Sequence, residues 1–423
     1  MTASVPATAD RSPAARAGRA ALAFIFITVL LDMMALGMVA PVLPQLVTEY
    51  LSGDTATAAA VFGLFNTVFA LMQFFFSPVI GALSDRFGRR PMILISNLGL
   101  GLNYVLMAWA PNLYWLFLGR VISGVTGASF GTASAYIADT TPAEGRAHAF
   151  GMLGAAFGVG FVLGPAFGGL PGEHFGARAP FWVAAGLSLA NALYGIMVLP
   201  ESLPKTSRTG FCWRRANPIG ALILLRRHPE LFALAGVIFL SNLAQVSLPS
   251  TVVLYATHRY GWSPTSLGVT LALVGVALIV VQVGVVGRFV RAFGSRAGLV
   301  TGLLFGVAGL AILGLAPTGA HLWMGIPVLA LWGIAGPSGQ GIMTRHVSAA
   351  EQGQLQGANA SLVGIAELIG PGIFTLTFAY FVRGGQPVER SGAPFLLAAG
   401  LLAIAAVWAF FATRREIDGH GLS

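Results

Sequence analysis

Charge is what this sequence has least of. Only 9% of its 423 residues are charged, while 56% are hydrophobic; an average soluble domain carries roughly 25% charged residues. A chain so balanced cannot cover a water-facing surface with polar groups and belongs in lipid. Cysteine is nearly absent too: Cys212 stands alone, which excludes an intramolecular disulfide. No nucleophile–base pair, metal-ligand cluster or phosphate-binding loop can be read along the chain, so an enzyme is disfavoured and no cofactor or metal is expected. The net charge of +9 does not signal nucleic acid, because no basic stripe interleaved with aromatics accompanies it.

What fills the chain is a series of apolar runs of about 20 residues, the length that crosses a bilayer as a helix. Twelve are predicted, at roughly 21–46, 59–83, 91–109, 113–138, 147–171, 180–199, 231–255, 265–290, 297–316, 322–345, 354–380 and 392–412. The first is too long for a signal-peptide core and no small-residue cleavage site follows it, so it is expected to stay as a span. The polar, arginine-rich stretch 200–230 divides the spans six and six. The expected organisation is a cytoplasmic tail at 1–20, a six-helix bundle at 21–199, a cytoplasmic loop at 200–230, a second bundle at 231–413 and a cytoplasmic tail at 414–423. In that orientation nineteen of the 24 basic residues face the cytoplasm, Arg120 lies within a span, and Arg178, Arg259, Arg383 and Arg390 face outward. That asymmetry follows the positive-inside rule. Glycine, at 55 residues, is nearly twice the usual ~7%, as suits helices that approach backbone to backbone in lipid. Pro41, Pro44, Pro165, Pro249, Pro337 and Pro371 fall inside spans; each either kinks its helix or helps shape a cavity.

The halves echo each other. Gly81, Phe87, Gly88 and Arg90 recur 206 residues later as Gly287, Phe293, Gly294 and Arg296, and Gly164-Pro165 recurs as Gly370-Pro371. Ala179-Pro-Phe-Trp-Val-Ala-Ala-Gly186 returns as Ala393-Pro-Phe-Leu-Leu-Ala-Ala-Gly400. Two like halves in the same order place a site between them. The expected fold is therefore all-α and integral to the membrane: twelve transmembrane helices in two six-helix bundles related by a pseudo-twofold along the membrane normal. Such a chain reads as a transporter of a small molecule.

Within Gly81–Arg90, Gly81 and Gly88 permit a tight turn, and Asp85 is placed to meet Arg86, Arg89 and Arg90. A carboxylate at a helix end can pair with loop arginines and with the start of a facing helix, forming a latch. Of the 15 acidic residues, Asp32 and Glu367 fall well inside predicted spans, one in each half and both near mid-depth. A carboxylate there is expensive and usually marks a functional path; each either carries a proton or is held by hydrogen bonds from neighbouring helices. Arg120 either tunes such a carboxyl electrostatically or snorkels to water.

These motifs carry a resemblance. Gly81-x3-Asp85-Arg86-x-Gly88-Arg89-Arg90 is similar to the cytoplasmic signature of the major facilitator superfamily, with Arg291 where the second copy would have the aspartate. Leu118-Gly119-Arg120-x3-Gly124-x3-Ala128 resembles its fourth-helix motif, linked to proton handling. Gly160-x3-Gly164-Pro165-x2-Gly168-Gly169 resembles its fifth-helix antiporter motif. Leu31-Asp32-Met33-Met34-Ala35-Leu36-Gly37, Pro41-Val-Leu-Pro44, Ile137-Ala-Asp139-Thr-Thr141, Phe150–Gly154 and Gly261-Trp262 resemble the tetracycline/proton antiporter group. The resemblance implies twelve helices in two bundles and export of a bulky drug-like compound in exchange for protons. Alternating access in a bacterial inner membrane is expected, with a monomer as the working unit. The single lysine, Lys205, hints at a GC-rich bacterial genome. Asn103 and Gly306 stand where that group carries aspartates, Leu278 stands for a histidine, and Gln282 matches a glutamine. Proton coupling is expected to rest on Asp32, Glu367 and Arg120. The substrate wall is expected at Asn66, Gln73, Asn103, Tyr104, Asn242, Gln245, Gln282 and Trp332, with apolar surface from Met34, Phe69, Phe157 and Phe161. Other readings are a facilitator or symporter of a metabolite, and a membrane sensor that does not transport.

Overall fold

A computed structural model describes residues 13–127, 129–141, 146–208, 229–347, 352–383 and 387–413. Most of both tails and residues 209–228 of the central loop, with Cys212, lie outside the described residues, as do Ala128 and the side chain of Phe161. The helices are α1 (Pro13–Val39), α2 (Leu43–Tyr50), α3 (Thr55–Phe87), α4 (Arg89–Trp109), α5 (Leu113–Thr126), α6 (Ser129–Thr140), α7 (Arg146–Phe175), α8 (Ala179–Val198), α9 (Pro229–Tyr260), α10 (Pro264–Val280), α11 (Gly287–Leu315), α12 (Gly319–Ala330), α13 (Ala335–Arg345), α14 (Gln352–Val382) and α15 (Ala393–Ala412). No strand occurs among the described residues.

Among the described residues, ten helical stretches are long and apolar enough to cross a membrane. One of them, Pro264–Leu315, turns back on itself at Gly294, whose φ of 82° is not helical. Divided there, and with α5 and α6 read as a further crossing, the set is consistent with twelve spans. Short turns join them at two ends. The basic end holds the turns at Gly88 and Gly294, and the opposite end holds those at 51–54, 110–112, 176–178, 261–263 and 316–318.

The sequence starts helices at the opposite end with side-chain caps. Asp54 accepts hydrogen bonds from the Ala56 and Thr57 amides, Asn112 from Tyr114 and Trp115, and Ser263 from Ser266. Such caps satisfy donors that have no partner inside the helix. The hydroxyl and amide of Thr57 hold the Asp54 carboxyl below its usual range. Its stabilising contribution is therefore present above the ordinary carboxylate pKa and fades as pH falls through the lowered value.

The repeat is visible in hydrogen bonds as well as in sequence. Arg90 donates to the Ile196 carbonyl at the end of α8, and Arg296 donates to the Phe410 carbonyl at the end of α15. Gly88 and Gly294, 206 residues apart, both take positive φ, at 110° and 82°. At the opposite end the Ala110 carbonyl receives Tyr50 and Arg178, while the Ala316 carbonyl receives Tyr260 and Arg259. In each half an arginine thus neutralises the negative end of a helix. Packing follows the same symmetry. In the first half α1 lies against α7 and α8, and α4 against α8; in the second, α9 lies against α14 and α15, and α11 against α15. Two pairs carry most of the seam between halves, α7 with α10 and α3 with α14.

Candidate functional site

The basic-end cluster is organised by Arg89 more than by the loop as a whole. Its Nη1 reaches Asp85 Oδ1 at 2.6 Å and Ser84 Oγ at 3.1 Å, and its Nε reaches Asp139 Oδ2 at 2.9 Å. One buried guanidinium therefore ties the end of α3 to the end of α6. Arg86 stacks on Phe87, 5.1 Å from the ring centroid, and Arg90 goes to Ile196, so Asp85 takes one of its three neighbouring arginines. Glu201 was not anticipated. Its Oε1 accepts the Arg89 backbone N–H at 2.9 Å, capping α4 from beyond α8, and Arg208 lies 3.7 Å from its other oxygen. A Cβ at Gly88 would strike that carboxylate, so Gly88 answers both a positive φ and a close approach. Glu201→Ala is expected to cost about 1 kcal/mol as a lost cap, read as a lower midpoint of thermal unfolding in detergent.

In the first half the predicted residues gather into a buried polar array. Asp32 is 5% exposed, and its Oδ1 accepts a 3.0 Å hydrogen bond from Asn191 Nδ2 on α8. The same Asn191 nitrogen reaches the Thr28 carbonyl at 3.1 Å. Tyr104 is buried within electrostatic range of both Asp32 and Arg120. Arg120 does not snorkel: it is 8% exposed, donates to Asn66 Oδ1 at 2.9 Å and sits 4.4 Å over the Phe69 ring. A buried cation so held is paired with a neutral amide and an aromatic face. Asn103 turns toward α5, donating to Ser123 Oγ at 2.6 Å, and its Oδ1 is a buried atom without a partner. Asn191 was missed by sequence reasoning, although a lone amide in the apolar run 180–199 was the available signal.

The second half is less polar. Trp332 is buried, its Nε1 donating to Ser241 Oγ at 3.1 Å. A Cβ on Gly306 would lie 2.8 Å from that indole and 2.7 Å from Leu402. The indole therefore fills the space that a longer side chain at position 306 would need. Gln282 lies in a π-helical segment, Val281–Val286, and donates to the Gly333 carbonyl at 3.2 Å, inside the 3-10 segment Leu331–Ile334. Two irregular turns thus meet, and π-segments are frequent at functional sites. Asn242 bonds back to its own helix at Ile238, while Gln73 is half-buried and Gln245 exposed.

Glu367 is exposed, and helical phase says toward what. Ile369, Ile373, Leu376 and Tyr380 form an exposed apolar stripe down α14, the face suited to lipid. At 100° per residue Glu367 lies on the other side, in line with Phe374 and Phe378, both fully buried. That interior face is open at Glu367 and closed by phenylalanine further toward the opposite end.

The fifth-helix glycines bring α7 close to helices on both of its sides. Cβ atoms on Gly160, Gly164 and Gly168 would meet the carbonyls of Leu30, Met34 and Met38, so α7 presses against the backbone of α1. On its other flank Gly169 faces Pro264, and Pro165 faces Gly268 of α10. Two small-residue faces let one helix pack closely on both neighbours. The basic-end bonds of Arg89, Arg90 and Arg296 each stay within one half.

A profile of the Major Facilitator Superfamily matches residues 25–371, and the chain belongs to this superfamily. It is 39% identical over 362 residues to the tetracycline resistance protein, class C, of Escherichia coli, covering 85% of this chain and 90% of that one. To the class H protein of Pasteurella multocida it is 32% identical over 399 residues, 92% of this chain and 96% of the other. Its fold matches the human organic anion transporter MFSD10 with a TM-score of 0.68 at 22% identity, over 94% and 100% of the two chains.

Proposed function

We propose that the chain is a proton-coupled exporter of small amphipathic, drug-like molecules in a bacterial inner membrane, with the basic end and both termini cytoplasmic. The observation that carries this reading is the pair of interior carboxyls, one buried in the first half and one facing the open interior of the second. Kinship with tetracycline resistance proteins supports the outward direction of transport. Asn191 suits a titrating Asp32: its amide nitrogen can donate to the carboxylate, and after rotation its oxygen can accept from the carboxylic acid. Glu367, reached from the cytoplasm in this conformation, supplies an anion for a basic group on the cargo or releases the second proton. Arg120, held by Asn66 and Phe69, keeps a fixed positive charge near Tyr104. Asn66, Gln73, Tyr104, Asn242, Gln245, Gln282 and Trp332 supply amides and aromatic surface for an amphipathic molecule. With Asn103 tied to Ser123 and Trp332 filling the space at Gly306, the cargo is expected to differ from that of the tetracycline proteins.

The test is a susceptibility panel of antibiotics, dyes and metabolites on an efflux-deficient bacterium producing this protein. Protection that a protonophore abolishes supports export. Growth on a new nutrient, without protection, would assign an importer instead.

A further inference from the structure

At the end opposite the arginine cluster, one side chain joins the two halves by capping a helix that is not its own. Glu173 lies in the last turn of α7. Its Oε2 accepts the Ser263 hydroxyl at 3.1 Å and the Thr265 backbone N–H at 3.3 Å. Ser263 is the N-cap of α10, and its Oγ also accepts the Ser266 N–H at 3.3 Å. Pro264, first in the helix, has no N–H to satisfy. In an ordinary capping box the serine and the glutamate belong to one helix. Here the serine comes from the second half and the glutamate from the first.

We propose that Glu173 is a latch for the outward face, holding the transporter closed on that side by completing the cap of α10 from across the seam. Three observations combine. The capped helix is the one against which Gly169 and Pro165 press, so the bond sits where the halves meet backbone to backbone. A carboxylate at a helix N-terminus interacts with the helix dipole as well as with individual amides. When the halves part, Ser263 and Thr265 must exchange Glu173 for water, whereas the Arg178 and Arg259 contacts stay within their own halves. The groups around it do not replace the bond: His174 and Arg178 belong to the same half, and Arg178 is engaged with Tyr50 and Ala110. Beyond Pro264 lies a cleft of about 810 Å³ lined by Glu49, Thr48, His258 and Trp262, so water is at hand to take over the α10 amides once the latch opens.

Spin labels test this without any substrate, independently of which compound is carried. In a Cys212→Ser background, labels on Pro111→Cys and Pro317→Cys, exposed positions 206 residues apart, report the outward face. A second pair on Thr206→Cys and Ala292→Cys, both exposed, reports the basic end. The expected result is at least a twofold rise in the long-distance population of the outward pair in Glu173→Ala, with a smaller rise in Glu173→Gln. The basic-end pair should shorten in step. A residue that merely stabilises the fold would lower the unfolding midpoint and leave both distributions unchanged, and that outcome overturns the proposal. Should Glu173→Ala fail to fold, Glu173→Gln alone decides: wild-type distances in it reject the latch.

Discussion

Asparagine at position 32 is expected to cut proton-driven accumulation of the cargo in inverted vesicles by roughly fiftyfold. The size follows from the energy one coupled proton delivers. A charge crossing 100 mV supplies about 2.3 kcal/mol, and each 1.4 kcal/mol is tenfold in concentration ratio. Asparagine keeps the shape of Asp32 and can still bond with Asn191, so binding and folding should survive while coupling does not. Downhill movement of cargo should therefore persist in Asp32→Asn after the driven component is gone. Glu367→Gln separates the roles further: if Glu367 holds the cargo, affinity falls while proton movement continues. Wild-type accumulation in both variants would end the coupling assignment.

Alanine at Gly164 should be among the most disruptive small changes in the first half. Its new methyl would lie 2.6 Å from the Met34 carbonyl oxygen and 2.7 Å from the Gly37 Cα. Both neighbours are backbone, so no side chain can swing aside and the helices themselves must separate. Overpacking of this kind costs about 1–3 kcal/mol, and here it also displaces α7, which carries the close contacts to α10 across the seam. The expected outcome is a clear drop in unfolding midpoint together with most of the transport. Gly154 and Gly158 on the same helix have nothing within 4 Å of a built Cβ, so alanine at either should be near neutral. Alanine is the better helix former, so equal damage at all three positions would show that the approach of α1 had not set the result.

The spans, the repeat and the polar identity of the interior were legible in the sequence because they depend on local composition and period. A glycine repeated at 88 and 294 foretold two turns, and both take positive φ. Partners were harder. Asp85 was placed among three arginines, but which one it meets depends on how α6 brings Asp139 to Arg89, a contact fifty residues distant. Glu201 and Glu173 read as ordinary loop and helix-end carboxylates, since nothing near them in the chain says that each caps a distant helix. Asn103 and Trp332 were assigned to the wall by residue type alone. Ser123 and Gly306, which decide where they turn, come from other helices. The π-helical segment around Gln282 left no trace in an apolar run whose hydrophobicity is continuous.

The twin clasps on the Ala110 and Ala316 carbonyls have a kinetic consequence. Because each fastens helices of one lobe to one another, reorientation need not strain either lobe internally, and the barrier is concentrated in a thin interface of glycines and a few polar ties. Turnover can then be tuned by residues that never meet the cargo. Variants at that interface should alter how fast the carrier cycles well before they alter what it recognises.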